Sequence, residues 1–384
     1  MMKKIFYLGI LGLLLFELAN VYFIMPMPSS QRMNSIDLAY FLYSYRWIFR
    51  IAFAIMIIAG LIPVFRNTRV IPKVFAVICL LLLGAVVYAA NFMMAADAMF
   101  VQSKNFKMNP AAENKIDSNR IVIGIEFNGQ AKAYPIQFLG YHHQVFDSIG
   151  NKPVIVTYCT VCRTGRVFEP VVNGKVENFR LVGMDHFNAM FEDKTTKSWW
   201  RQATGEAIAG KLKGYSLPEL NSTQMELKQW LSLYPNSLIM QEDPDFTSIY
   251  DGMSNYENGT RTGMLTRRDT LPWQEKSWIA GVIVGKESKA YDWIALQKQR
   301  IIYDVLDNLP IVIVLADDNK SFVALKRTDA NQHFSLQQDT LSDSKNIYSL
   351  TGRSFDPAVP DLVKINAYQE YWHSWRTFHP HTKK

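Results

Sequence analysis

Cysteine is scarce in this chain, with three residues in 384, which excludes a disulfide framework as the source of its stability. A phosphate-binding glycine loop, a nucleophile elbow and a dinucleotide glycine fingerprint are all missing. Their absence argues against the commonest nucleotide-dependent and serine-hydrolase chemistries. Lys and Arg outnumber Asp and Glu by 41 to 34, yet the excess is scattered along the chain. No basic block is interleaved with aromatics, and a nucleic-acid partner is not expected.

Charge is also nearly missing from three long stretches near the N-terminus. Residues 4–25 hold a single acid, Glu17, and stop before Pro26; residues 47–64 hold only Arg50, and residues 74–96 hold no charge. Each is close to the roughly 20 residues that a helix needs to cross a bilayer, so residues 1–99 are expected to form a three-helix transmembrane region. The first run lacks a small-residue cleavage site, with Tyr22, Phe23 and Ile24 standing where one would lie. It is therefore expected to stay as an anchor and not to be removed as a secretory signal. Lys3 and Lys4 before the first run, and Arg66, Arg69 and Lys73 between the second and third, mark the cytoplasmic side. Three crossings then put everything after Ala96 outside the cytoplasm.

Beyond a polar linker at residues 100–117 the chain repeats itself. Lys132-Ala133-Tyr134 recurs as Lys289-Ala290-Tyr291, an offset of 157. The same offset aligns Gly124 with Gly281, Asp147 with Asp304, Asn151 with Asn308 and Pro153 with Pro310. Nearer the ends, Thr204-Gly205 answers Thr351-Gly352, and Trp230 answers Trp375. Such agreement predicts two copies of one module, at residues 118–245 and 278–384, joined by a polar connector at residues 246–277. Within a copy, β-branched runs such as residues 121–127 and 154–158 read as strands. Asn173-Gly174 between two such runs is a hairpin signal. Helical periodicity is confined to the copy ends, at residues 224–234 and 367–378. The expected class is α+β: a three-helix transmembrane region followed by a duplicated, mainly antiparallel β-rich module.

The remaining two cysteines stand together in Tyr158-Cys159-Thr160-Val161-Cys162-Arg163. Gly165 and Pro170 come soon after, so the pair does not open a helix as in a thioredoxin-like motif. The second copy has Ala316-Asp317-Asp318-Asn319 at this place, an ordinary turn sequence. A four-residue disulfide loop removes little chain entropy, so the pair points to chemistry or metal binding and not to a staple. In one reading Cys159 and Cys162 cycle between dithiol and disulfide, with Arg163 and Arg166 favouring the thiolate. In the alternative they ligate zinc, copper or haem with His142 or His186, both missing from the second copy; His143 is a further candidate. A third, weaker reading is a small-ligand receptor. The aromatic and polar residues Tyr158, Asp185, His186, Trp200 and Glu206 are candidates for binding a substrate, although Trp199 and Trp200 are as readily core aromatics.

The motif set resembles the bacterial family catalogued as domain of unknown function 3179. The resemblance rests on Asn128-Gly129-Gln130-Ala131-Lys132-Ala133-Tyr134-Pro135, on Val156-Thr157-Tyr158-Cys159-x-x-Cys162, on Trp200-x-x-x-Thr204-Gly205-Glu206, and on the closing Trp375-x-x-Phe378-His379-Pro380. It spans residue 121 to the C-terminus. It implies a membrane-anchored or exported protein, here placed in the bacterial plasma membrane with a redox partner protein outside the cytoplasm. Selenocysteine is attributed to some relatives at this motif, which favours redox chemistry. Two departures stand out: the family usually has Trp-His-Glu where this chain has Tyr141-His142-His143, and often Gly where it has Arg163.

Overall fold

The structure, a computed structural model, describes residues 2–66 and 68–384. It is the expected α+β architecture and divides into two compact units.

The first unit comprises the N-terminal residues to Val101 together with residues 178–201 and 206–215. Met2–Tyr22, Arg46–Phe65 and Val70–Met93 are helices long and apolar enough to cross a membrane, and they place the chain at a membrane. Trp47, Ile58 and Leu81 face outward on them, as suits segments solvated by hydrocarbon. Their few polar groups meet one another. Arg50 Nε donates to Glu17 Oε1 at 2.6 Å, and Asn91 Nδ2 donates to Glu17 Oε2 at 2.9 Å. One residue from each helix thus satisfies a charge that hydrocarbon would penalise. The unit also holds a four-stranded antiparallel meander, Phe179–Asp185, Asn188–Asp193, Trp199–Arg201 and Ala207–Ala209. Buried Trp199 packs edge-on against Tyr40 and Tyr43 of the short helix Ile36–Ser44. Residues 178–201 and 206–215, read from the sequence as part of the first module, therefore pack with the helices.

The second unit contains the rest of the first copy and all of the second. The hairpin Ile121–Phe127 and Gln130–Pro135, the helix Ile136–His142, and the strands Gln144–Ile149, Lys152–Cys159 and Thr164–Phe168 recur in order. Their counterparts are Trp278–Val284, Glu287–Asp292, Trp293–Gln299, Ile301–Leu306, Leu309–Leu315 and Phe322–Lys326. Each copy closes with a strand and a seven-residue helix, Leu227–Leu233 or Trp372–Phe378. The shared residues do the same work twice. Lys132 Nζ and Tyr134 Oη both reach Asp147, at 2.9 and 2.7 Å; Lys289 and Tyr291 reach Asp304 at 2.7 and 2.8 Å. Asn173 and Gly174 take φ of +52° and +75° between two short paired strands, the hairpin their sequence signals.

The copies meet through equivalent residues. Gln224 Nε2 donates to Gln369 Oε1 at 2.9 Å, and these two glutamines occupy the same position in their closing strands. The segment read as a linker is partly integrated. Met108–Pro110 is an edge strand paired with Leu238–Met240. The connector likewise orders two short helices, Thr247–Asp251 and Ser254–Glu257, which bury Tyr250 and Tyr256.

In each copy a tryptophan lies flat on a strand glycine. A Cβ placed on Gly281 would come within 2.3 Å of the Trp375 ring, and one on Gly124 within 2.2 Å of Trp230. The glycines are thus required by close approach. Gly281→Ala is expected to lower stability by about 1–3 kcal/mol through overpacking, measured by denaturant unfolding. Gly129→Ala serves as the comparison, since a Cβ there meets nothing within 4 Å and strains only a φ of +76°.

Candidate functional site

The cysteine turn joins Lys152–Cys159 to Thr164–Phe168, with Cys159 opposite Thr164. Its counterpart joins Leu309–Leu315 to Phe322–Lys326. That second turn caps itself. The Asp318 carboxylate accepts from the N–H groups of Lys320 and Ser321, at 2.8 and 2.7 Å, and from the Ser321 hydroxyl. Val161 stands where Asp318 does, so the cysteine turn has no such side chain.

It is held from outside instead. Lys276 Nζ donates to the Val161 carbonyl at 2.6 Å, and His373 Nε2 lies 3.2 Å from the same oxygen and 3.0 Å from Lys276 Nζ. The Tyr256 hydroxyl donates to Thr160 O at 2.9 Å, and the Tyr371 N–H donates to Cys162 O at 3.0 Å. The connector and the closing segment of the second copy therefore shape a turn that belongs to the first.

Both sulfurs are fully buried, and no disulfide joins them. Cys162 is hydrogen-bonded to Cys159 and Ser374. Burial pushes the Cys162 thiol well above its usual range and Cys159 adds to this, while Lys276 and the Ser374 hydroxyl pull it back. Burial lowers Lys276, and the neighbouring Cys162 and Cys159, with Glu275 and Asp269 after them, oppose that. His373 is pushed down to about 3, first by burial and then by the Lys276 charge, so its imidazole is neutral near pH 7. The resting Cys162 thiol is thus protonated, beside an ammonium that has no ion-pair partner among the described residues. Loss of a thiol proton would put a negative charge against this ammonium, on which Glu275 and Asp269 act only without an ion pair.

The arginines expected to assist the thiols are engaged elsewhere. Arg163 Nε donates to Gln369 Oε1 at 2.7 Å, Nη2 donates to Glu257 O at 3.0 Å, and the guanidinium stacks on Trp278 at 3.9 Å. Arg166 pairs with Glu370 and lies 3.4 Å over the Tyr368 ring. Gln202 braces the strands behind the turn, with its Nε2 donating to Thr157 Oγ1 at 3.0 Å and its Oε1 accepting from Thr164 Oγ1 at 2.6 Å.

The other candidates are spread over both units. Tyr158 is buried in the strand that delivers Cys159, with its hydroxyl 3.4 Å from that of Tyr256. His142 Nε2 lies 2.5 Å from the Tyr250 hydroxyl, and its ring packs edge-on against Phe246. Asp185, His186, Trp200 and Glu206 belong to the unit of the membrane helices, whereas Cys159 and Cys162 belong to the other. There Asp185 accepts from His186 Nδ1 and Arg201 Nε, both at 2.7 Å, and Glu206 lies 3.6 Å from Arg201. Trp200 is core, donating through Nε1 to Asp193 at 3.0 Å. Among the described residues, no group of three or more His, Cys, Asp or Glu side chains is placed to hold a metal ion.

Sequence reasoning missed Lys276, His373 and Ser374. One signal was available: beside the matched Trp230 and Trp375, the copies diverge, with Lys228-Gln229 in one and His373-Ser374 in the other.

No curated protein and no solved structure matches the chain. A family model described as "Protein of unknown function (DUF3179)" matches residues 101–382, which include both copies of the module and the cysteine turn. The chain belongs to the DUF3179 family.

Proposed function

We propose that this is a membrane-anchored thiol–disulfide protein whose working groups are Cys159 and Cys162, held on the extracytoplasmic side of the membrane. The observation that carries the reading is Lys276. A half-buried ammonium that forms no ion pair among the described residues carries a desolvation cost, and here it lies against the one turn that has two cysteines and no self-capping aspartate. It is suited to stabilise the thiolate on which exchange depends.

In the exchange, one thiolate attacks a sulfur of a partner disulfide and expels a thiolate. The second cysteine then displaces the remaining sulfur, so the partner leaves as a dithiol and Cys159 is joined to Cys162. Two electrons pass to the partner, together with the two thiol protons. Because both sulfurs are buried, the cover formed by the connector and the closing segment has to move aside, or the partner has to be a small disulfide.

Thiol titration of the full chain in detergent, in a Cys79→Ser background, tests the proposal. Two thiols should convert reversibly to none. Cys159→Ser should abolish this while leaving the fold intact by circular dichroism. Lys276→Met should slow alkylation of Cys162 by roughly tenfold or more, about 1.4 kcal/mol of thiolate stabilisation, with Lys276→Arg closer to wild type. Loss of the fold in the double serine variant would make the pair a structural element. Stoichiometric zinc, copper or haem in fresh protein, lost with the cysteines, would replace exchange by metal binding.

A further inference from the structure

The second unit contains a cavity of about 160 Å³ lined by residues of both copies and of the connector, among them Arg163, Trp278, Glu257 and Arg268. It is larger than the roughly 10–15 Å³ one water needs and smaller than the roughly 300 Å³ at which pockets for drug-sized ligands begin. Its size suits a small ion with companion waters.

Arg163, Arg268 and Lys320 line it together with the carboxyl groups of Glu257 and Asp318, and Asp318 is turned to the Lys320 and Ser321 N–H groups of its own turn. Arg163 and Arg268 stack on Trp278, each 3.9 Å from the ring centroid. Arg163 is fully buried, and neither guanidinium has a carboxylate partner among the described residues. The third cation, Lys320, is neutralised by Glu226 at 2.5 Å. Stacking on an aromatic ring offsets part of the cost of burying a guanidinium. It does nothing to remove the repulsion between two guanidiniums around one indole.

Two polar atoms of lining residues also lack a partner: Arg268 Nε and Glu257 Oε1 are buried without a hydrogen bond. Buried donors and acceptors are nearly always satisfied, and an exception signals a water or ion that completes the site. Glu257 is 3% exposed, and burial raises its carboxyl to about 7 although Arg120 lies 3.5 Å away. Below about pH 7 the protonated Glu257 carboxyl donates to an oxyanion and does not repel it. Finally, Arg163 holds φ of +58°, a conformation that glycine adopts without strain. Keeping an arginine there costs on the order of 1 kcal/mol, so its side chain serves a purpose that glycine cannot.

We propose that this cavity is a binding site for a small oxyanion, held by Arg163, Arg268 and Glu257. The site takes an ion of the size of carbonate, acetate, phosphate or sulfate, with the guanidiniums supplying charge and N–H donors and Glu257 the orienting contact. The proposal is independent of what the cysteines do.

The test is calorimetric titration and thermal unfolding of the full chain in detergent, with bicarbonate, acetate, phosphate and sulfate each compared with chloride at equal ionic strength. At least one of the four should bind saturably at one ion per chain and raise the unfolding temperature. Arg268→Gln should weaken that ion roughly tenfold or more, while its ion-free unfolding temperature stays at or above wild type because a repulsive charge is gone. Arg268→Lys, which keeps charge but removes the unpartnered Nε–H, should also weaken binding; Glu257→Gln, still a donor, should largely retain it. Equal shifts with chloride, unsaturable shifts with every ion, or unchanged affinity in both Arg268 variants would overturn the proposal and leave a cavity of ordered water.

Discussion

Replacing Glu370 by alanine is expected to cost about 3 kcal/mol or more of stability, the range measured when one partner of a buried ion pair is removed. Arg166 and Glu370 are each 1% exposed, and they tie the strand after the cysteine turn to the closing strand of the second copy. Removing the carboxylate strands a guanidinium whose other acid, Glu219, lies 3.6 Å away and is itself a quarter exposed. It also frees the Ser374 hydroxyl, which donates to Glu370 Oε2 at 3.2 Å and belongs to the thiol site. For a unit of this size the loss corresponds to roughly 6–12 °C in unfolding temperature. Glu370→Gln should lose less, because an acceptor remains. The discriminating measurement is a double-mutant cycle with Arg166→Met. If Glu370 matters as Arg166's counter-charge, the double variant should recover much of the loss, since an apolar pair of similar volume can replace a buried ion pair at little cost. A Glu370→Ala loss below about 0.5 kcal/mol, the scatter of ordinary surface substitutions, or strict additivity in the cycle, would mean that the pair does not hold the copies together.

The dependence of the cysteine turn on a distant partner explains what the sequence could and could not convey. Features set within a few residues were legible. Asn173-Gly174 specified its own turn, and the two Lys-Ala-Tyr runs, with Asp147 and Asp304, specified the same strand pairing twice. The glycines under Trp230 and Trp375 left matching marks at matching offsets. The membrane helices announced themselves through the absence of charge. Contacts made by packing one copy on the other left no such pattern. Lys276 and His373 reach Val161 across more than a hundred residues of chain, and no local propensity encodes that meeting. Arg163 shows the converse. Adjacency to Cys162 suggested help to the thiol, but a left-handed backbone sends its guanidinium to Trp278 and Gln369. The segment at residues 100–117 looked like a linker because an edge strand needs only three residues, Met108–Pro110, to pair with Leu238–Met240.

Acid should unfold the second unit through buried histidines, partly masked by Glu257. His143 is 1% exposed and is pushed down to about 4, chiefly by burial; His373 is 8% exposed and is pushed down to about 3 by burial and the Lys276 charge. Below about pH 6.5, the ordinary histidine value, the unfolded chain takes up protons at these sites that the folded chain refuses. Their contribution is therefore complete above that pH and declines as pH falls toward 4 and 3. By about pH 4.5 each costs roughly 2–3 kcal/mol. Glu257 acts in the opposite sense. Burial raises it to about 7 from the ordinary 4.5, so the folded chain binds its proton first and gains stability as pH falls through that window. That gain is of similar size to one histidine's loss, again roughly 3 kcal/mol. His379, likewise pushed down to about 4 by burial, adds a third cost of this order, so wild-type protein should lose about 5 kcal/mol between about pH 7.5 and 4.5. Glu257→Gln removes the compensation and should deepen the loss by about 3 kcal/mol, while His373→Gln should roughly halve it. Urea unfolding of the three proteins across this pH range reads all three slopes. If Glu257→Gln leaves the acid limb unchanged, its carboxyl does not titrate near neutrality; if His373→Gln does, the imidazole beside Lys276 is not held neutral by its surroundings.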